Sequence, residues 1–98
     1  MRDIVWSDEA LDDFDSAIHF VARDGTRSAH LVADRIEQAI DSLADMPTGR
    51  PGRVQGTYER VVQRGPYIIA YTLSDAAVRI ARIIHSARDW PEGEWPAE

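Results

Sequence analysis

The sequence predicts an α+β domain of order β-α-α-β-β-β, with an N-terminal helical hairpin packed on one face of an antiparallel sheet. Three observations carry this expectation. Two long stretches, residues 8–23 and 26–45, repeat their apolar residues at helical spacing and are joined by a short connection. Residues 47–56 then break that pattern with three glycines and two prolines. Beyond them lie three strand-like runs, 57–62, 67–73 and 78–87, separated by the turn signals Gly65-Pro66 and Ser74-Asp75. Helices followed by strands favour segregated layers, and short turns between strands favour an antiparallel meander.

Each element has its own reason. Asp3-Ile4-Val5-Trp6 reads as a short strand at an edge of the sheet. Ser7 is a good helix N-cap, and Asp8 and Glu9 suit the positive end of the helix dipole. Ala10, Leu11, Phe14, Ala17, Ile18 and Val21 fall within one arc of the first helix and form its expected buried stripe. Gly25 is expected to end this helix in the left-handed conformation. Thr26 or Ser28 can cap the second helix, whose stripe is Val32, Ile36, Ala39, Ile40 and Leu43, and Pro47 should stop it. Phe20 and Leu31 lie off both stripes, near the hairpin tip. Single exposed apolar residues are common, so contact with a partner is the sharper of two readings. The remaining face of the sheet, rich in arginine, is expected to be more open.

At 98 residues the chain holds one domain, expected over residues 1–90, with an acidic and mobile tail at 91–98. It has no cysteine, which excludes disulfides, thiolate zinc sites and a cysteine nucleophile. The longest early apolar run is Ile4-Val5-Trp6, so no targeting or membrane segment is expected, and the cytoplasm is the default location. The formal net charge is -6, unevenly spread. Residues 1–46 carry four arginines against eleven acids; residues 47–90 carry seven against three. There is no lysine. Arginine is the better residue for bidentate contacts to phosphate and carboxylate, so the basic half could face either kind of partner.

The sites that chemistry would need are mostly missing. Gly49-Arg50-Pro51-Gly52-Arg53 lacks the spacing, the lysine and the following helix of a phosphate-binding P-loop. Its arginines either touch a partner or belong to a structural loop. His19 and His30 have no second ligand at metal-binding spacing, so neither a metal nor a cofactor is expected. His85, followed by Arg88 and Asp89, could serve as an acid or base on a phosphodiester, or could simply be bonded within a strand end. Arg50, Arg53, Arg60, Arg64, Arg79, Arg82 and Arg88, interleaved with Tyr58, Tyr67, Tyr71 and Trp90, could bind RNA by charge and stacking. The acidic balance of the whole chain opposes a free nucleic-acid binder and leaves an acidic peptide as the other target.

Four pieces of the chain, in order over about residues 4–91, together resemble the RelE/ParE toxins of type II toxin–antitoxin systems, and most closely their ParE-like subgroup. Trp6-Ser7 with Ala10, Asp13 and Phe14 looks like the family's opening strand and capped helix. Leu43, Pro47 and Gly49-Arg50 look like its helix exit. Gly56-Thr57-Tyr58-Glu59 resembles its G-x-R-E strand, with Tyr58 where arginine is usual and Arg60 where an apolar residue is usual. Tyr67 to Tyr71, then His85-Ser86-Ala87-Arg88-Asp89-Trp90, resemble its last strands and ending.

The resemblance implies a growth-inhibiting toxin, neutralised in a hetero-oligomer by a cognate, ParD-like, DNA-binding antitoxin. It implies DNA gyrase as the target and binding rather than catalysis. The alternatives are a ribosome-dependent mRNA endonuclease using His85, Arg82 or Arg88, and a non-toxic member that only binds antitoxin. On the gyrase reading the target would meet Arg50, Arg53, Arg88 and Trp90. The antitoxin would meet Phe20, Leu31, Arg60 and Arg79.

Overall fold

The computed structural model describes residues 1–86. Arg88, Trp90 and the tail 91–98 lie outside the described residues. The elements are β1 (Asp3–Trp6), α1 (Asp8–Ala22), α2 (Thr26–Ser42), β2 (Arg50–Pro51), β3 (Tyr58–Val61), β4 (Tyr67–Leu73) and β5 (Ala77–His85). They form a helical hairpin over a five-stranded sheet of order β1-β5-β4-β3-β2. The α+β class and the hairpin are as expected. Two features of the sheet differ. β1 does lie at an edge, but it pairs with β5 in parallel, Asp3 against Ala77 and Trp6 against Ile80, so the sheet is mixed. The glycine- and proline-rich segment also supplies a two-residue strand, β2, antiparallel to β3. Periodicity carries neither fact, because it reports burial and not pairing direction. No described helix is long and apolar enough to cross a membrane.

The first helix starts as its sequence requires. Ser7 Oγ accepts from the Ala10 N–H at 3.0 Å and satisfies one of the free donors of the first turn. The second helix starts differently. Gly25, not Thr26 or Ser28, is its N-cap and offers no side-chain bond. Gly25 has φ 128 and ψ 155, so it is not a left-handed cap. That backbone still demands glycine, since a side chain is rarely tolerated at such a φ.

The core lies between the hairpin and one sheet face. Ala10, Ala17, Ile36, Ile40 and Leu43 of the helical layer meet Tyr67, Ile69 and Tyr71 of β4 and Val78, Ile80 and Ile83 of β5. Ile80 and Ile83 are three apart, which simple strand alternation forbids. A bulge resolves this: Tyr71 pairs with Ile80 while Ala70 pairs with Arg82, leaving Ala81 extra and shifting the alternation by one. Leu11, expected in the buried stripe, is 47% exposed. It sits at the margin of the apolar arc, to one side of the buried line set by Ala10 and Ala17. Phe20 and Leu31 are exposed, as their positions off the stripes require.

Candidate functional site

The chemistry-bearing residues divide among three places. The first is the outer edge of β5. Beyond Trp6, β1 no longer covers it. The Ser7 N–H still reaches the Ile80 carbonyl at 3.0 Å, and the Ser7 hydroxyl donates to the Ala81 carbonyl at 2.8 Å. Asp13 then replaces the missing strand. Its Oδ2 accepts from the Ile83 N–H at 2.9 Å and from Arg82 Nε at 2.7 Å, while Oδ1 accepts from Arg82 Nη2 at 2.9 Å. The two side chains are 16% and 14% exposed, so this is a largely desolvated, two-pronged ion pair. Arg82 is therefore part of the architecture. Asp13 reads in sequence as one more acid on a solvated helix face, and nothing in the periodicity singles it out.

The second place lies around His85. Its ring packs edge-on against Tyr67, with centroids 5.5 Å apart. A small cleft of about 110 Å³ lies between this pair and α1, lined by Asp13, Ser16, Phe20 and Ile83 among others. The Arg23 guanidinium sits 5.8 Å from the centre of the Phe20 ring. Among the described residues no three His, Asp or Glu side chains gather where a metal ion could be held.

The third place is the β2–β3 margin. Glu59 is buried at 3% exposure, which an isolated carboxylate would resist. Arg50 meets it through Nε and Nη2 at 3.3 and 3.1 Å, and the Arg53 N–H donates to its second oxygen at 2.8 Å. The Gly-Arg-Pro-Gly-Arg segment is thus a clamp over Glu59, with the Arg50 side chain still 57% exposed at the surface. The clamp explains Gly49, where a Cβ would stand 2.7 Å from the Glu59 carbonyl oxygen and 2.8 Å from the Tyr71 hydroxyl. Tyr71 donates to the Thr48 carbonyl at 3.0 Å, and the exposed Tyr58 ring stacks on it. Burial raises the Tyr71 pKa; the nearby Arg60 charge opposes the shift and Tyr58 adds to it.

The four expected antitoxin contacts do not form one patch. Phe20 and Leu31 are on the helical hairpin. Arg60 pairs in register with Ile69 and so faces the helices, where its Nη1 donates to the Thr48 hydroxyl at 2.6 Å. Arg79 pairs with Thr72, on the opposite sheet face, beside Val5 and an open depression of about 500 Å³. A segment touching all four would have to pass around an edge of the sheet. Of the expected target contacts, Arg50 and Arg53 are neighbours at the clamp.

Comparison with known proteins places this geometry. A family model described as the ParE toxin of the type II toxin–antitoxin system, parDE, matches residues 4–90. The chain is 38% identical over 90 residues to the putative toxin Y4kP of Sinorhizobium fredii, covering 91% of this chain and 93% of that one. It is 34% identical over 88 residues to toxin RelE2 of Caulobacter vibrioides, covering 90% and 99%. Among solved structures, a chain of the chromosomal ParDE system from P. aeruginosa superposes with a TM-score of 0.79 at 24% identity, over 87% of this chain and 96% of that one. The YafQ structure from E. coli strain BL21(DE3) gives 0.55 at 20% identity, over 89% and 96%.

Proposed function

The chain belongs to the ParE toxin family of type II toxin–antitoxin systems, and from that premise we propose that it arrests growth in the cytoplasm by binding DNA gyrase, without cutting RNA. A ParD-like antitoxin, in this reading, silences it by engaging Phe20 and Leu31 on the hairpin together with Arg60 and Arg79. Arg50 and Arg53, with Arg88 and Trp90, face the target.

The observation that carries the reading is the engagement of Arg82. A ribonuclease must stabilise a charged phosphorane and move protons at the ribose 2′-hydroxyl and the leaving oxygen. Arg82 is bound through two nitrogens to Asp13, and the pair is largely shut off from water. His85 packs on Tyr67 beside a cleft of about 110 Å³, well below the roughly 300–1,000 Å³ of ordinary ligand pockets. Contact through an exposed surface needs neither group.

The test is to induce the chain alone in cells, as wild type and as His85→Ala. Binding to gyrase gives DNA breaks and filamentation in both strains with mRNA intact. Specific mRNA cuts that fall about 10²–10⁴-fold with His85→Ala would establish the endonuclease reading instead, that being the usual worth of a positioned acid or base. Unimpaired growth alongside antitoxin binding would identify a non-toxic member.

A further inference from the structure

One cleft of the molecule meets the surfaces assigned above only at Arg60. It lies between the C-terminal half of α2 and the turn that joins β3 to β4, with a volume of about 380 Å³. Arg35, Arg60 and Arg64 line it, along with Gln38, Gln63 and Ser42. Every one of these polar side chains can donate a hydrogen bond. No aspartate or glutamate lines the cleft, although the chain carries seventeen acids against eleven bases.

The three arginines come from different segments, and the side chains of Arg35 and Arg60 are held by hydrogen bonds. Arg35 Nη1 donates to the Arg64 carbonyl at 3.3 Å, which ties α2 to the turn. Arg60 is fixed by its bond to the Thr48 hydroxyl. Arg64 occupies the left-handed region at φ 61, the one described non-glycine residue with positive φ. Arginine is a poor choice there, and glycine or asparagine would cost less. Arg35 and Arg60 are only partly exposed. None of the three is within ion-pair distance of a carboxylate among the described residues. Three like charges around one concavity, two of them partly desolvated, leave a positive potential that an anion relieves.

Charge and shape narrow the anion. A single carboxylate brings one charge and two oxygens, which leaves most of the donors idle. A terminal phosphate or pyrophosphate group brings two or more charges and a fuller set of acceptor oxygens. It also suits the bidentate fork of arginine. The volume is at the lower end of small-ligand pockets and accommodates one such group with little else. No aromatic ring lines the cleft to stack on a base. We propose that the Arg35–Arg60–Arg64 cleft is a binding site for a multiply charged phosphate group, of the inorganic pyrophosphate or nucleoside di- and triphosphate class, recognised through the phosphates and not the base.

This goes beyond the gyrase reading and does not depend on it, because the test is made in vitro and has no toxicity readout. The purified full chain is titrated by calorimetry with pyrophosphate, with ATP and GTP, with a single-stranded oligonucleotide lacking terminal phosphates, and with a glutamate-rich peptide. Saturable binding of pyrophosphate and of both nucleotides, of similar strength for the two bases and weakened by added salt, is the expected result. Arg64→Gly is the decisive variant, since glycine accepts φ 61 and the fold should be unharmed. It should weaken pyrophosphate about tenfold or more, as should Arg60→Gln, with the melting temperature unchanged for Arg64→Gly. The proposal is overturned by absence of pyrophosphate binding at millimolar concentration, or by equal binding to Arg64→Gly. Preference for the oligonucleotide or the acidic peptide would overturn it as well.

Discussion

Where β1 stops at Trp6, β5 runs on to His85, and α1 closes its edge through Ser7 and Asp13. Where β2 starts at Arg50, opposite Glu59, β3 runs on to Val61 with no described strand on its outer side. The two margins of one sheet are finished in opposite ways. At the β5 margin Asp13 and Arg82 partner each other, and the arginine serves the fold. At the β3 margin the Glu59 clamp is followed by arginines that face a cleft without a carboxylate. The difference teaches that an arginine-rich sheet is not one surface. Arg82 is consumed by architecture, whereas Arg60 and Arg64 remain available to an anion.

The largest expected effect is at the closed margin. Asp13→Ala removes both the partner of a mostly buried guanidinium and the acceptor of the Ile83 N–H. Breaking one side of a buried ion pair costs about 3–5 kcal/mol, a large share of the roughly 5–15 kcal/mol that holds a domain together. Urea denaturation should show a large drop for Asp13→Ala and a smaller one for Asp13→Asn, which keeps an acceptor oxygen. A drop no larger than that of the solvated-face variant Asp41→Ala, expected within about 0.5 kcal/mol, would erase the contrast between the margins.

The common core sets the scale for both. Leu43 is wholly buried, and Leu43→Ala should cost about 2–5 kcal/mol. Next comes the clamp at the β3 margin. Gly49→Ala would drive a methyl group against the Glu59 carbonyl and the Tyr71 hydroxyl, so the loop must retreat, at about 1–3 kcal/mol. Its melting temperature should fall while that of Arg64→Gly does not.

The smallest effect is alkaline. Tyr71 has its folded pKa raised above the ordinary 10.0, chiefly by burial. Its phenol therefore stays protonated in the folded chain at a pH where the unfolded chain has released the proton. Stability from this group is full below pH 10 and is lost as pH rises from there through the folded pKa. Tyr71→Phe should flatten that alkaline decline. An unchanged slope would assign it to other groups.

The helical half was the more legible in the sequence, because stripes such as Ile36, Ile40 and Leu43 report burial directly. β4 was equally clear, since Tyr67 to Leu73 is a compact apolar run between turn signals. Leu11 misled because an arc on a helical wheel has margins and a real interface does not reach them evenly. Long-range charge was illegible. Asp13 and Arg82 are 69 residues apart, and nothing local marks an acid that will replace a missing strand. The clamp residue Glu59 and the cleft arginines share that difficulty. Their meaning lies in which elements the topology brings together, and that rests on a parallel pairing and a bulge that periodicity does not encode.

The parallel pairing of β1 with β5 also has a consequence in time. Ser7 and Ala81, which it brings within hydrogen-bond reach, are separated by 74 positions. The long-range closure of this sheet joins an early strand to the last one described, and contacts of such separation form late and slowly. On the ribosome, the hairpin emerges well before β5, and its apolar stripe has no complete sheet to cover until that strand has left the exit tunnel. Synthesis and assembly of the folded surface are thus separated by the last strand. A nascent chain interrupted before Ala77 lacks the strand on which β1, Ser7 and Asp13 all depend.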